Sequence, residues 1–464
     1  MSHGLDEYSA LLDNARGNPT RSSYTLGESE TRSNVSRMKR VMSTPAIPSH
    51  KLKLLEITPF MLKKYYMAKG GTLVSSAFNL ASATLGAGAL ALPSAMLHSG
   101  FIVGILTLAV VYLFTVYSIY LLIKVGVLHE LYSYEAIADD LLGSYSQEIT
   151  GLFIVLFCWG VAVVYIVVMG DFMTPLMSTL GISHIIGRKT VMTIFFFCIM
   201  FPLSLARQVN TLRYASIVGC ASTLLLAMAT VIRTIEKGDT LSHMPMARFD
   251  TDSVSAISTY VFSYCCQPVA FSIFLEMKNA STKRMTFCAS CSMLTCTLLY
   301  IVVGVFGALA FGEDTRPNVL TNLANHLDTP YVQLAYLGMM VTVTMSFPMT
   351  IFPTRESVVL ALGYKEEGKD TPPLVSSGIA GILAILALLT GLFVPNIRVL
   401  FDVLGGICGG TISFLLPGLF AVRSEYWTIQ NVGLIHVIGA WVTIFLGIGM
   451  CLLGTYNSVL TNFL

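Results

Sequence analysis

The stretch Gly70–Leu97, GGTLVSSAFNLASATLGAGALALPSAML, constrains the fold most. From Thr72 to Leu97 it carries no charge and is long enough to cross a bilayer, which takes about 20 mostly apolar residues. It is nevertheless a poor continuous helix. Gly86-Ala87-Gly88 lies at its centre and Pro93 follows, and each glycine weakens a helix by about 1 kcal/mol relative to alanine. Unpaired backbone is tolerated at membrane depth only beside protein or a cavity. Two readings stay open for this segment alone: close packing through small residues, or a span broken at mid-depth to make a binding site.

The rest of the chain is also membrane-like. Of its 464 residues 54% are hydrophobic and 12% charged, against about 25% charged in soluble proteins. The net charge of +2 gives no reason to expect nucleic acid as a partner. The ten cysteines all fall in or beside apolar segments, which argues against a disulfide framework. Cys288-Ala-Ser-Cys291 has no second pair nearby and reads as small residues on a helix.

Residues 1–69 are polar, rich in Ser, Thr and Arg, and are expected to form a disordered cytoplasmic tail. A transmembrane body is expected over residues 70–464. After the first span ten further apolar segments follow: Phe101–Ile123, Gly151–Met173, Lys189–Ala206, Tyr214–Ile235, Ser253–Leu275, Phe287–Phe311, Tyr331–Leu362, Leu374–Val394, Ile397–Val422 and Val432–Tyr456. The expectation is an all-α membrane protein with eleven transmembrane helices. With the tail inside, 21 of the 28 Lys and Arg fall on the cytoplasmic side and 7 outside, although the tail supplies eleven of the 21. Ala136–Leu142 is expected as a short amphipathic helix at the cytoplasmic surface, and Gly312–Pro330 as a loop with a short helix capping the outer mouth.

The sixth span carries Tyr264-Cys265-Cys266-Gln267-Pro268 at its middle. Proline inside a helix costs about 3 kcal/mol, so the segment is either kinked or broken there. Five spans separate the starts of the two disrupted spans, so they run in opposite directions. That is the pattern of a five-plus-five inverted repeat, with repeat one at about 72–235, repeat two at about 253–422 and an extra helix at about 432–456. Matching interruptions in two halves point to a transporter site made of Leu85, Gly86, Ala87 and Gly88 with Cys265, Cys266 and Gln267.

Phe78-Asn79-Leu80 with Leu85-Gly86-Ala87-Gly88-Ala89-Leu90-Ala91-Leu92-Pro93 resembles the first-span signature of the amino acid/auxin permease family. Phe352-Pro353-Thr354-Arg355 resembles the end of the family's eighth span. Asp402-Val403-Leu404-Gly405 and Phe414-Leu415-Leu416-Pro417-Gly418-Leu419 resemble its tenth. Among members the chain is similar to amino acid permeases of trypanosomatid protozoa. The resemblance implies a bundle of the bacterial leucine transporter type, with substrate carboxylate at the first break and ammonium near the sixth. It adds Tyr165 on the third span as a ligand for the carboxylate. Many relatives have a glutamate after the sixth-span proline, where this chain has Val269.

By the same resemblance a coupling sodium would use Ser82, Leu85, Thr344 and Ser346, but Ser82 stands where the family has Asn. The fifth span contains no lysine, which some proton-driven relatives place in that site. Coupling to H+, coupling to Na+ and uniport all stay open, and no other cofactor is expected. His98 could titrate near neutrality, or be a solvated interface residue. Asp402, inside the tenth span, could attract a cationic substrate or pair locally with Arg398.

The expected function is secondary active transport of amino acids, cationic or neutral, by alternating access. The expected partners are a small amino acid and the lipid bilayer. The alternative is an amino acid sensor that binds without flux. No G-x-S-x-G, H-E-x-x-H or P-loop is present, and His436 is the one histidine well inside a span, so an enzyme is not expected. The plasma membrane is the first expectation for location, a vacuolar or lysosomal membrane the second.

Overall fold

The computed structural model describes residues 71–463 apart from 180, 182–186, 206–211, 239–244, 364–371 and 395–396. The tail expected over 1–69 lies outside the described residues. Those described are helical, with one isolated bridge between Gly71 and Met277.

The first span is two helices, α1 (Leu73–Thr84) and α2 (Gly88–Ser99), bent by 59° at the break between them. Then come α3 (Phe101–His129), α4 (Tyr134–Leu142), α5 (Ser146–Thr179), α6 (Arg188–Phe195), α7 (Phe201–Ser204) and α8 (Leu212–Lys237). The sixth span is again two helices, α9 (Thr251–Tyr264) and α10 (Gln267–Glu276). The remainder is α11 (Thr282–Phe311), α12 (Val319–Leu323), α13 (Pro330–Ala361), α14 (Pro373–Phe393), α15 (Ile397–Phe401), α16 (Leu416–Arg423), α17 (Ile429–Val432) and α18 (Leu434–Phe463).

Among the described residues nine stretches are long and apolar enough to cross a membrane, α9–α10 and α15–α16 each counting as one, and the bent pair α1–α2 makes a tenth. The further segment expected at Lys189–Ala206 is helical from Arg188 to Ser204. It runs through α6, a π turn at Phe196–Met200 and α7, and 206–211 beyond it are not described.

Polar residues start the helices. Asp250 and Ser253 form a capping box on α9, each side chain bonded to the other's backbone. The Ser133 side chain accepts from Ala136 N–H at the start of α4. This short helix buries Tyr134, Ile137 and Ala138, and the Tyr134 hydroxyl donates to the Ile412 carbonyl at 3.1 Å. Helix α4 is thus docked on the bundle by its apolar face.

Eleven of the twelve residues of α2 are buried, His98 being the exception, which puts the first break in the middle of the protein. Helix α2 packs on α9 and α11, and α5 packs on α13. The tenth span is not a plain helix. Asp402–Gly409 and Thr411–Leu415 are wound as π-helix between α15 and α16. Its glycines let neighbours close in: a Cβ on Gly405 would overlap the Ser258 carbonyl of α9. The loop over 312–330 holds α12, which packs on α2 and α5. There the Asn318 side chain donates to Asp171 at 3.1 Å.

We call the face where α1 begins, at Gly71, the near face, and the face at Ser99, the end of α2, the far face.

Candidate functional site

At the first break, α1 ends with Leu85 N–H donating to Ala81 O and Gly86 N–H to Thr84 O, both at 2.8 Å. Helix α2 then starts without a side-chain cap. Neither the Ala87 nor the Gly88 N–H donates to any of the described residues. A helix N-terminus carries roughly +0.5 charge, so two unused donors there make a place for an anion.

The two glycines are required by close approach. Neither has a positive φ. A Cβ on Gly86 would stand 2.7 Å from the Tyr165 hydroxyl, and one on Gly88 2.7 Å from Cα of Ser263 on α9. Ser346 of α13 lies near the Tyr165 hydroxyl. The first break, α5 and α13 therefore meet at one point.

The second break is real and not a kink. Cys265 and Cys266 leave helical geometry at φ −72°, ψ 90° and φ −117°, ψ 1°. Pro268 sits in the first turn of α10, where a missing N–H costs nothing. Gln267 is fully buried. Its Nε2 donates to the Ser118 hydroxyl at 3.3 Å, and its Oε1 accepts from the Ser413 hydroxyl at 2.9 Å. It ties α10 to α3 and to the π-wound tenth span.

A residue not singled out in the sequence joins the two breaks. Tyr300 on α11 is fully buried, and its hydroxyl reaches both the Thr84 and the Ser263 carbonyls. Nothing local in the sequence marks it out from other tyrosines in apolar spans.

Between the breaks lies a cavity of about 80 Å³. On that measure a water takes about 10–15 Å³, so the space suits a small solute. Gly86, Ala87, Gly88, Tyr165, Cys265 and Cys266 line it, with Thr84, Phe157 and Phe262. Leu85 and Gln267 are not in its wall. No charged side chain is among its described lining residues.

The residues expected around sodium each have identifiable neighbours. Ser82 packs beside Gly219 of α8. Thr344 Oγ1 donates to the Met340 carbonyl at 2.8 Å and touches Met169 sulfur at 3.9 Å. Ser346 lies near Tyr165.

The cavity is asymmetric. Toward the near face its wall includes exposed Ala83 and half-buried Val269, Met349, Thr350 and Pro353. Toward the far face it ends on Phe262, whose ring lies 4.9 Å from that of Phe401, both buried. Beyond that pair Arg398 holds Asp252 at 2.6 Å and donates from Nε to the Ser255 hydroxyl at 3.1 Å. Ser255 in turn donates to Asp402 Oδ1 at 2.7 Å. His98 Nδ1 stands 3.9 Å from Asp252. The expected local pairing of Asp402 with Arg398 thus runs through Ser255, and Asp402 lies outside the cavity wall.

The pattern of the family described as "Transmembrane amino acid transporter protein" matches residues 69–460. The chain belongs to this family. Its relatives are transporters and not enzymes. "Amino acid transporter AVT6E" of Arabidopsis thaliana is 25% identical over 419 residues, covering 84% of each chain. "Vacuolar amino acid transporter 5" of Schizosaccharomyces pombe is 27% identical over 364 residues, 76% of this chain and 84% of that one. The structure of MhsT in complex with L-phenylalanine superposes with TM-score 0.58 and 11% identity, over 84% of this chain and 99% of that one. At that identity the likeness carries the fold alone: the inverted-repeat bundle of the bacterial leucine transporter type.

Proposed function

We propose that the protein carries neutral amino acids across a membrane by alternating access, and that the structure is its near-face-open state. The observation that carries the proposal is the cavity between two helix breaks, free of charged side chains, with unused N–H donors on one side. An amino acid's carboxylate would take the Ala87 and Gly88 N–H groups and the Tyr165 hydroxyl. Its ammonium would face the C-terminal end of α9, which bears roughly −0.5 charge, near Ser263 and Cys265. Asp402 is engaged by Ser255 behind the Phe262–Phe401 pair, which favours neutral over cationic side chains. The near face is assigned to the cytoplasm from the cations of the tail. The membrane is the plasma membrane or, as the printed name of the fission-yeast relative supports, a vacuolar one.

The test is uptake of a panel of amino acids into proteoliposomes at two pH values, with and without sodium. Uptake of neutral amino acids well above arginine and lysine is expected. Preference for arginine or lysine would overturn the selectivity, and binding without flux would make the protein a sensor.

A further inference from the structure

The cavity follows one face of α5. Phe157, Cys158, Val161 and Tyr165 all line it, and from Tyr165 to Phe157 is a little over two turns, roughly 12 Å along the axis. At the Tyr165 end stands the first break with its unused N–H donors. The other end differs in kind. The Phe157 ring lies 6.1 Å from the Phe262 ring, tilted by 53°, and between them the side chains of Phe157, Cys158, Val161 and Phe262 offer a single thiol and otherwise only carbon. This end is backed by packed protein. Behind Phe262 stands Phe401, ring centroids 4.9 Å apart. Gly160 of α5 lies so close to Leu404 of the tenth span that a Cβ there would overlap the leucine side chain. Phe157, Phe262, Phe401 and Leu404 are all buried, so a group pressing on Phe157 meets side chains with nowhere to retreat.

We propose that this end holds the substrate's side chain, that it selects apolar side chains up to about the size of leucine or methionine, and that Phe157 sets the limit. The proposal rests on the transporter reading, which puts the carboxylate at Ala87, Gly88 and Tyr165. With the carboxylate fixed there, the side chain projects along α5 toward Phe157. A thiol is a weak donor and a weak acceptor. The amide of glutamine would therefore give up its bonds to water and gain none of equal strength. Size is limited as well. The cavity of about 80 Å³ holds about five to eight waters. That is space for an amino acid with a branched or thioether side chain, and too little for one carrying an indole.

The test measures uptake of leucine, methionine, alanine, glutamine and tryptophan by the full-length protein in proteoliposomes. Leucine and methionine should exceed glutamine and tryptophan about tenfold or more, since misfits in an apolar pocket are worth roughly 10–200-fold. Phe157→Ala lengthens the compartment and should raise the tryptophan-to-leucine ratio about tenfold. Phe157→Trp shortens it and should raise the alanine-to-leucine ratio by a similar factor. A residue that merely supported the fold would lower all substrates together, so unmoved ratios in both variants overturn the proposal. So does a wild type that carries glutamine or tryptophan as well as leucine. If Phe157→Ala fails to reach the membrane, Phe157→Leu is read in its place, with a shift of about threefold expected. A wild type with neither uptake nor exchange of any amino acid would instead strike down the transporter reading. The order of size is then read from protection against thermal melting by the same five amino acids, and equal protection by leucine and tryptophan overturns this proposal too.

Discussion

The Tyr300 hydroxyl stands 2.7 Å from the Thr84 carbonyl and 2.7 Å from the Ser263 carbonyl. A hydroxyl has one proton, so it donates to one carbonyl at a time. Thr84 O already receives the Gly86 N–H, which leaves Ser263 O the more dependent of the two. One side chain on α11 thereby holds the ends of both broken spans. Tyr300→Phe should destabilise the protein by about 1–3 kcal/mol, the cost of a buried carbonyl left unpaired. Thermal melting in detergent measures this, and an unchanged melting temperature would show that the bond contributes nothing.

Gly86 and Gly88 differ in what a side chain would strike. At Gly86 the obstacle is the Tyr165 hydroxyl, while the ring carbon behind it is 3.8 Å away. Gly86→Ala should therefore cut uptake about tenfold or more, and Tyr165→Phe in the same chain should recover part of the loss. At Gly88 the obstacle is the backbone of α9, which cannot step aside. Gly88→Leu should abolish uptake, and no substitution at Tyr165 should rescue it. Radiolabelled uptake in the four variants separates the two kinds of contact, as non-additivity is expected only between touching residues.

Arg398→Ala removes the link between the tenth span and Asp252 and Ser255 at the far face. The small cleft there is lined by Ser94, His98, Ser255 and Phe401. A Ser94→Cys probe should react faster with a membrane-impermeant thiol reagent applied from the far side when Arg398→Ala is also present. Equal rates would mean that the Phe262–Phe401 pair alone keeps that side shut.

Asp250 lies outside the spans, and its carboxyl is held below the usual aspartate range by the Ser253 hydroxyl and then by the Ser253 N–H. A group whose acidity is raised by folding stabilises the protein above its unfolded value and loses that effect as pH falls through its folded value. Asp250→Ala should cost about 0.5–2 kcal/mol at neutral pH, as lost helix caps do. The gap from wild type should close only at pH below the ordinary aspartate range. Melting curves of both proteins across acid pH provide the comparison.

The spans were legible because apolar length is a local property, and the breaks because Gly86, Gly88 and Pro268 disturb helices wherever they stand. What the breaks touch was not legible. The Tyr300 bonds join residues 216 and 37 positions apart, and a hydroxyl inside an apolar run looks alike whether it bonds its own helix or a distant one. Depth groups Gln267 with the site, yet its side chain bonds to Ser118 and Ser413. The π winding after Asp402 shifts every later residue around the axis, and no spacing in the sequence announces it. Asp402 was recognisable as unusual from its burial in an apolar run, but Ser255, its donor, lies 147 residues earlier.

The near-face ends of the two broken spans are stitched by main chain. Gly71 N–H donates to Glu276 O at 2.8 Å, and Lys278 N–H to Gly71 O at 3.0 Å. Where α1 begins and α10 ends, the chain makes a two-rung fragment of parallel sheet. Any rotation that frees the near end of α1 must either break both rungs or drag α10 along, so the two half-helices form a single moving part. A join made of peptide groups is indifferent to side-chain chemistry at residues 276 and 278. Proline can unfasten it rung by rung, at 71 by removing the hydrogen of the first and at 278 by removing that of the second.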